Sequence, residues 1–173
     1  MKKSTKGALA AGAAASLLLG GAGSLAYWTS TGTISQSSIS SGDLSLGSAD
    51  CGTGWSFDDV EGTGVLTGTS KLVPGDVLTK TCTYVITAKG DHLKADVTAS
   101  TPSLTGALAG SLSASVTNIK VDGVNTTHIT SADDGKSLSV TVGVTYAGTS
   151  GNTTKNLSAV LNDITVTATQ SHA

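Results

Sequence analysis

The 173-residue chain carries ten Lys, no Arg and twelve acidic residues, for a net charge of −2 at pH 7. Without Arg side chains to fork onto phosphates, this composition argues against a nucleic-acid surface. Aromatic residues make up 3% of the chain and Ser and Thr together more than a quarter. Val, Ile, Leu and Thr in alternation point to β-structure with an exposed face rather than to disorder.

In chain order, Lys2, Lys3 and Lys6 come first and the apolar run Ala8–Leu19 follows, ending in small residues. Charged, apolar and small-residue regions in that order predict a helical secretory signal over residues 1–26. Ser24 and Ala26 place small side chains three residues and one residue before a cut that leaves Tyr27 as the new N-terminus. The competing reading is an uncleaved membrane anchor, because about 20 uncharged residues follow Lys6. Much of that run is Ala and Gly, which insert weakly, so cleavage is the expectation. A signal peptidase is then a transient partner, and the membrane is touched only through the uncleaved signal. The remaining 147 residues are enough for one domain with a real core. That part holds seven Lys against the twelve acids.

Residues 27–40 are Ser/Thr-rich, with isolated Ile34 and Ile39 and no helical period. A lone strand this polar cannot hold itself folded. The segment is either a frayed tail or an arm that becomes ordered by pairing with something else. The domain is expected over 41–173. A short strand with Leu44 and Leu46 opens it, and an irregular stretch from Cys51 to Gly68 follows. Pro74-Gly75 in Lys71–Asp76 fits a type II turn, Pro presetting the first central residue and Gly supplying positive φ at the second. Val77–Ala88 reads as a long half-buried strand, and His92–Ser100 repeats its alternation with Leu93, Ala95, Val97 and Ala99 inward.

Ser103–Gly110 reads as a loop or a single helical turn. Leu112–Val121 is strand-like but changes phase near Asn118, which predicts a bulge or a twist. Asp122-Gly123 predicts a hairpin turn that returns the chain along Val124–Thr130. Ser137–Ala147 gives the cleanest alternation, Leu157–Leu161 is ambiguous between a helical turn and a short strand, and Ile164–Gln170 closes the domain. Seven or eight short strands with no convincing helix after the signal predict an all-β antiparallel sandwich, jelly-roll-like.

Chemistry is sparse. His92, His128 and His172 show no paired metal-ligand spacing, and no Ser sits in a GxSxG elbow. His128 lies near Ser131 and Asp133, but sequence proximity is not a triad. The acidic knot Asp58, Asp59 and Glu61 could hold calcium through its oxygens; it lacks an alternating ligand spacing and reads better as a solvated loop. Asn125, Asn152 and Asn156 fit the glycosylation sequon, a match that arises by chance in so Thr-rich a chain. Cys51 and Cys82, in an exported protein, are most simply one disulfide. No enzyme, no cofactor and no metal site are expected.

Several stretches together resemble the TasA/camelysin group of exported proteins from Gram-positive bacteria. The N-terminal part, through Ala26-Tyr27-Trp28-Thr29, resembles the alternate-type signal peptides cut by the SipW class of signal peptidase. Ser41–Leu46 (SGDLSL) is similar to the family's first-strand motif, and Leu72–Lys80 (LVPGDVLTK), with Pro74, Gly75 and Asp76, to its signature turn and strand. Ile164–Gln170 resembles its last strand. The Cys51/Cys82 pair lies outside that pattern. The resemblance implies a jelly-roll domain exported to the cell surface or biofilm matrix. In fibre-forming members the freed N-terminal arm enters the sheet of the next subunit, a form of β-augmentation. Tyr27–Ile39 stands in the arm's place, with Tyr27, Trp28, Ile34 and Ile39 as its apolar anchors. The leading expectation is a secreted structural protein that self-associates through this arm into, or onto, matrix fibres. The alternative is a monomeric secreted adhesin or binding module on the same fold.

Overall fold

The computed structural model describes residues 30–57 and 64–171. The signal with its cut at Ser24, Ala26 and Tyr27, the anchor Trp28, the acidic knot Asp58, Asp59 and Glu61, and His172 all lie outside the described residues. The chain divides into two units, residues 1–39 and 40–173, and the strands described here belong to the second.

That unit is an antiparallel β-sandwich. Its larger sheet contains β1 (Asp43–Leu46), β2 (Ser56–Phe57), β3 (Val77–Lys89), β6 (Leu112–Val121), β7 (Val124–Asn125) and β9 (Ser137–Tyr146). The order is β1-β3-β9-β6-β7, with β2 on β3. The smaller sheet has β11 (Val166–Ser171), β4 (Lys94–Ala99) and β8 (His128–Thr130), in that order. A separate ribbon joins β5 (Leu104–Thr105) to β10 (Val160–Leu161). The helices among the described residues are three short 3₁₀ turns.

The alternation read from the sequence is what makes the two layers adhere. Ile86 and Ala88 of β3, Leu138 and Val140 of β9 and Val121 of β6 face Leu93, Ala95 and Val97 near or in β4 and Ile129 of β8, forming one buried cluster. Ile129 and Leu138 at its centre are fully buried. Leu44 and Leu46 of β1 and Val166 and Ala168 of β11 pack on it from one flank, Val116 and Ile119 of β6 from the other strands. A fully buried Leu or Ile contributes roughly 1.5–3 kcal/mol by transfer from water.

The structure departs from the sequence reading mainly at Val124–Thr130. The Asp122-Gly123 turn forms, both residues at positive φ (50° and 79°), as a two-residue hairpin loop of the primed type requires. The return strand, however, is not continuous. After two residues as β7 beside β6, the chain crosses to the smaller sheet and continues as β8 beside β4. The burial of Ile129 accounts for the switch, because remaining on β6 would keep it out of the core between the sheets. The ambiguous Ser103–Gly110 and Leu157–Leu161 supply the β5/β10 ribbon.

Candidate functional site

In a β-sandwich the edges of each sheet carry backbone N–H and C=O groups that either find partners or present themselves to another chain. The larger sheet treats its two edges differently.

At the β3 edge, β1 pairs with Ile86–Lys89 in the register Asp43 to Lys89. The first-strand glycine is needed there, because a side chain on Gly42 would collide with the Lys89 carbonyl. Beyond β1 the contact continues. Gly47 donates its N–H to Val85 O at 2.8 Å, and Asp50 and Thr83 exchange N–H···O bonds of 2.8 and 2.7 Å. The predicted disulfide is formed between Cys51 and Cys82, closing a sequence separation of 31. β2 then pairs Ser56 and Phe57 with Thr79 and Leu78. The Pro74-Gly75-Asp76 turn leads into β3. Gly75 sits at φ 105°, the Asp76 N–H reaches Val73 O at 3.1 Å, and the Asp76 carboxylate accepts the Val73 N–H at 2.8 Å. Its role is structural: it starts β3 in register.

The β6 edge is open among the described residues. The Asp122 N–H bonds Ser137 O at 2.8 Å and the Ala147 N–H bonds Ser111 O at 2.9 Å, whereas the Tyr146 N–H bonds Asp76 O on the far side of β9. Odd-numbered residues of β9 therefore bond to β6 and even-numbered ones to β3. With the register of β6 on β9, Ser113 and Ser115 direct their backbone groups to β9. Ala114, Val116 and Ile119 direct theirs outward. Only Lys120 and Val121 meet β7, so Ala114, Val116 and Ile119 have no partner strand among the described residues. The predicted phase change is a bulge between Val116 and Asn118. Its extra residue, Thr117, leans over Gly143, where a β-carbon would lie 3.0 Å from the Thr117 methyl, and its hydroxyl donates to Thr141 O at 3.2 Å.

Beside this edge runs a cleft of about 580 Å³, lined by Val116–Ile119 on one side and Asn125–His128 on the other. His128 stands on its rim, its Nδ1 2.6 Å from Asp96 Oδ1, the two side chains 74% and 51% exposed. A pair this exposed contributes little to stability. Ser131 and Asp133, close to His128 in sequence, do not join it. Asp133 Oδ2 accepts the N–H and hydroxyl of Thr130, both at 2.9 Å, and Oδ1 accepts from Lys136 Nζ at 3.0 Å. Burial pushes the Asp133 carboxyl up, but the Thr130 and Lys136 donors favour its charged form and leave its pKa below the ordinary 3.8. The same hydrogen bond raises Lys136 above its ordinary 10.5.

A second cleft, of about 770 Å³, lies on the outer face of the sheet against the disulfide segment. Its lining is rich in hydroxyls from Thr79, Thr81, Thr83 and Thr141, of which Thr81 and Thr141 bond each other at 2.8 Å. Among the described residues, no three His, Cys, Asp or Glu side chains gather as a metal site.

The smaller sheet also has an open edge: β11 pairs only with β4 among the described residues. In the first unit, residues 30–39 have no regular secondary structure and are exposed, with Ile34 at 98% and Ile39 at 95%. Sequence reasoning singled out residues 27–40 as a polar extended segment but not the edge residues Ala114, Val116 and Ile119, whose one local signal was the phase change at Asn118. No protein family, curated protein or solved structure matches the chain.

Proposed function

We propose that this chain is an exported structural subunit of a surface or matrix fibre, assembled when the N-terminal arm of one copy pairs with an open sheet edge of the next. The supporting observation is the run of outward-facing backbone groups at Ala114, Val116 and Ile119, flanked by half-buried apolar side chains. Such an edge gains main-chain hydrogen bonds and apolar cover from an added strand. Residues 27–40, extended, reach about 45 Å, enough to lie along a ten-residue strand. The resemblance of the signal and of the first-strand and turn motifs to the TasA/camelysin group supports export and assembly, with a transient signal peptidase upstream.

The test uses protein secreted from the full-length gene. Deleting residues 27–36 abolishes filaments in electron micrographs and leaves β-type circular dichroism unchanged. Filaments that form as readily without the arm would reduce it to a tail. The hydroxyl-lined cleft on the outer face favours the second reading, a monomeric binding module, which then takes over.

A further inference from the structure

Resting on that reading, we infer that the acceptor is the β6 edge of a second copy, and that its bulge selects the arm by requiring a matching break in phase. The inward-facing residues of β6 are Leu112, Ala114 and Val116 before the bulge and Ile119 and Val121 after it. Ala114 and Ile119 are thus five residues apart and on the same face, a spacing impossible in a regular strand, whose period is two. The two isolated apolar residues of the arm, Ile34 and Ile39, are also five apart. In a regular strand they would point to opposite faces. Laid antiparallel along β6, as every pair in this sandwich is, the arm places Ile39 opposite Ala114 and Ile34 opposite Ile119. Both then cover the half-buried apolar strip, and one extra arm residue opposes Thr117. At Ile34 the arm meets the end of β7, where Lys120 is already paired with Asn125, and residues 34–37 occupy the cleft between Val116–Ile119 and Asn125–His128.

The open β11 edge does not fit this spacing. Its inward residues Val166 and Ala168 keep the regular period through an unbroken register with β4.

The arm cannot reach its own β6 edge in this register. Ala114 is level with Val144 and, through it, with Leu78, whereas Asp43 is level with Lys89. Those levels lie about 36 Å apart along β3, and the four residues from Ile39 to Asp43 span at most about 14 Å. The occupant is therefore a second copy. The bulge acts as a gate as well as a docking feature, since it misaligns any regular strand that approaches the edge.

Cysteine pairs introduced into the full-length gene test the register, read as cross-linked ladders of secreted protein on non-reducing gels. Directly opposed residues on neighbouring antiparallel strands lie within disulfide reach. Ile34→Cys with Ile119→Cys, and Ile39→Cys with Ala114→Cys, give ladders about tenfold or more above Ile39→Cys with Ser113→Cys, because a one-residue slip turns a thiol to the other face. A regular arm anchored at Ile119 instead brings Ile39 opposite Ser113. Cross-linking of Ile39→Cys with Ser113→Cys in place of Ala114→Cys would overturn the matched register. Filaments with no cross-link at β6, or cross-links confined to single chains, would overturn the acceptor while leaving arm-dependent assembly standing. Failure of the unsubstituted protein to form filaments would remove both.

Discussion

The outer edge of β3 is closed four times over: by β1, by the Asp50–Thr83 exchange, by the Cys51–Cys82 disulfide and by β2. Among the described residues, the outer edge of β6 is covered for two residues and then left bare beside a cleft. Both edges belong to one sheet, and each bounds a strand of ten residues or more. A monomer that only had to avoid aggregation would guard both. Concentrating the protection on β3 leaves a single long edge of the larger sheet available, at the far end of the sheet from β1, where the arm is rooted. In the proposed assembly, a donor root and an acceptor at opposite ends of the sheet would give a head-to-tail contact, the kind that propagates into an open filament.

The largest expected effect falls on the closed edge. Replacing both cysteines, Cys51→Ala with Cys82→Ala, costs about 3–4 kcal/mol in the chain-entropy account of a loop this long, a large part of the roughly 5–15 kcal/mol of a domain. Thermal or denaturant unfolding measures it. A loss below about 1 kcal/mol would mean that β1 and β2 hold the β3 edge without the bridge.

Proline sharpens the contrast within one strand. Ser115 directs its N–H to β9, so Ser115→Pro strands a ladder partner and costs at least the roughly 1–3 kcal/mol of an unsatisfied buried group. Ala114 directs its N–H outward, and Ala114→Pro leaves the ladder to β9 intact, so its effect on folding is the smaller of the two. It still removes a donor from the proposed acceptor and lowers filament yield. Equal destabilisation by the two substitutions would show that the β6 edge is not open in solution.

Little of this contrast was legible in the sequence, although the strands were. Strand positions follow from local alternation, and Val77–Lys89, Leu112–Val121 and Ser137–Tyr146 emerged within a residue or two of their observed bounds. Even the bulge left a local trace, because inserting one residue shifts the phase. Edges are different: whether a strand is covered depends on non-local pairing. The Cys51–Phe57 segment read as irregular because its contacts with β3 are an isolated bridge, a disulfide and two paired residues, too short for any period. The break between β7 and β8 left only a weak trace: Val124 and Ile129, five apart, cannot share one face of a regular strand, and the burial of Ile129 in the sandwich is what divides the segment.

A smaller effect concerns the end of β3 next to β9, where the 131–136 turn completes the ladder. Asp134 Oδ1 accepts the Ala88 N–H at 2.9 Å, and the Ile86 N–H bonds Lys136 O at 2.9 Å. Asp133 holds that turn, and its folded pKa lies below its unfolded value near 3.8. Its stabilisation is therefore complete above that pH and lost as the pH falls through the lower folded value. Asp133→Asn removes this acid dependence and costs about 1–3 kcal/mol near neutrality. Stability profiles of the two proteins that run parallel from pH 6 to pH 2 would contradict the assignment.

Amide hydrogen exchange on the purified protein, compared before and after assembly, tests the contrast between the edges most directly. The amides of Ala114, Val116 and Ile119 are expected to exchange quickly in the monomer and to become protected in the filament. Those of Thr83 and Ile86, bonded within the subunit, stay slow in both states. Protection of Ala114, Val116 and Ile119 already in the monomer, or no gain in their protection on assembly, would contradict that contrast.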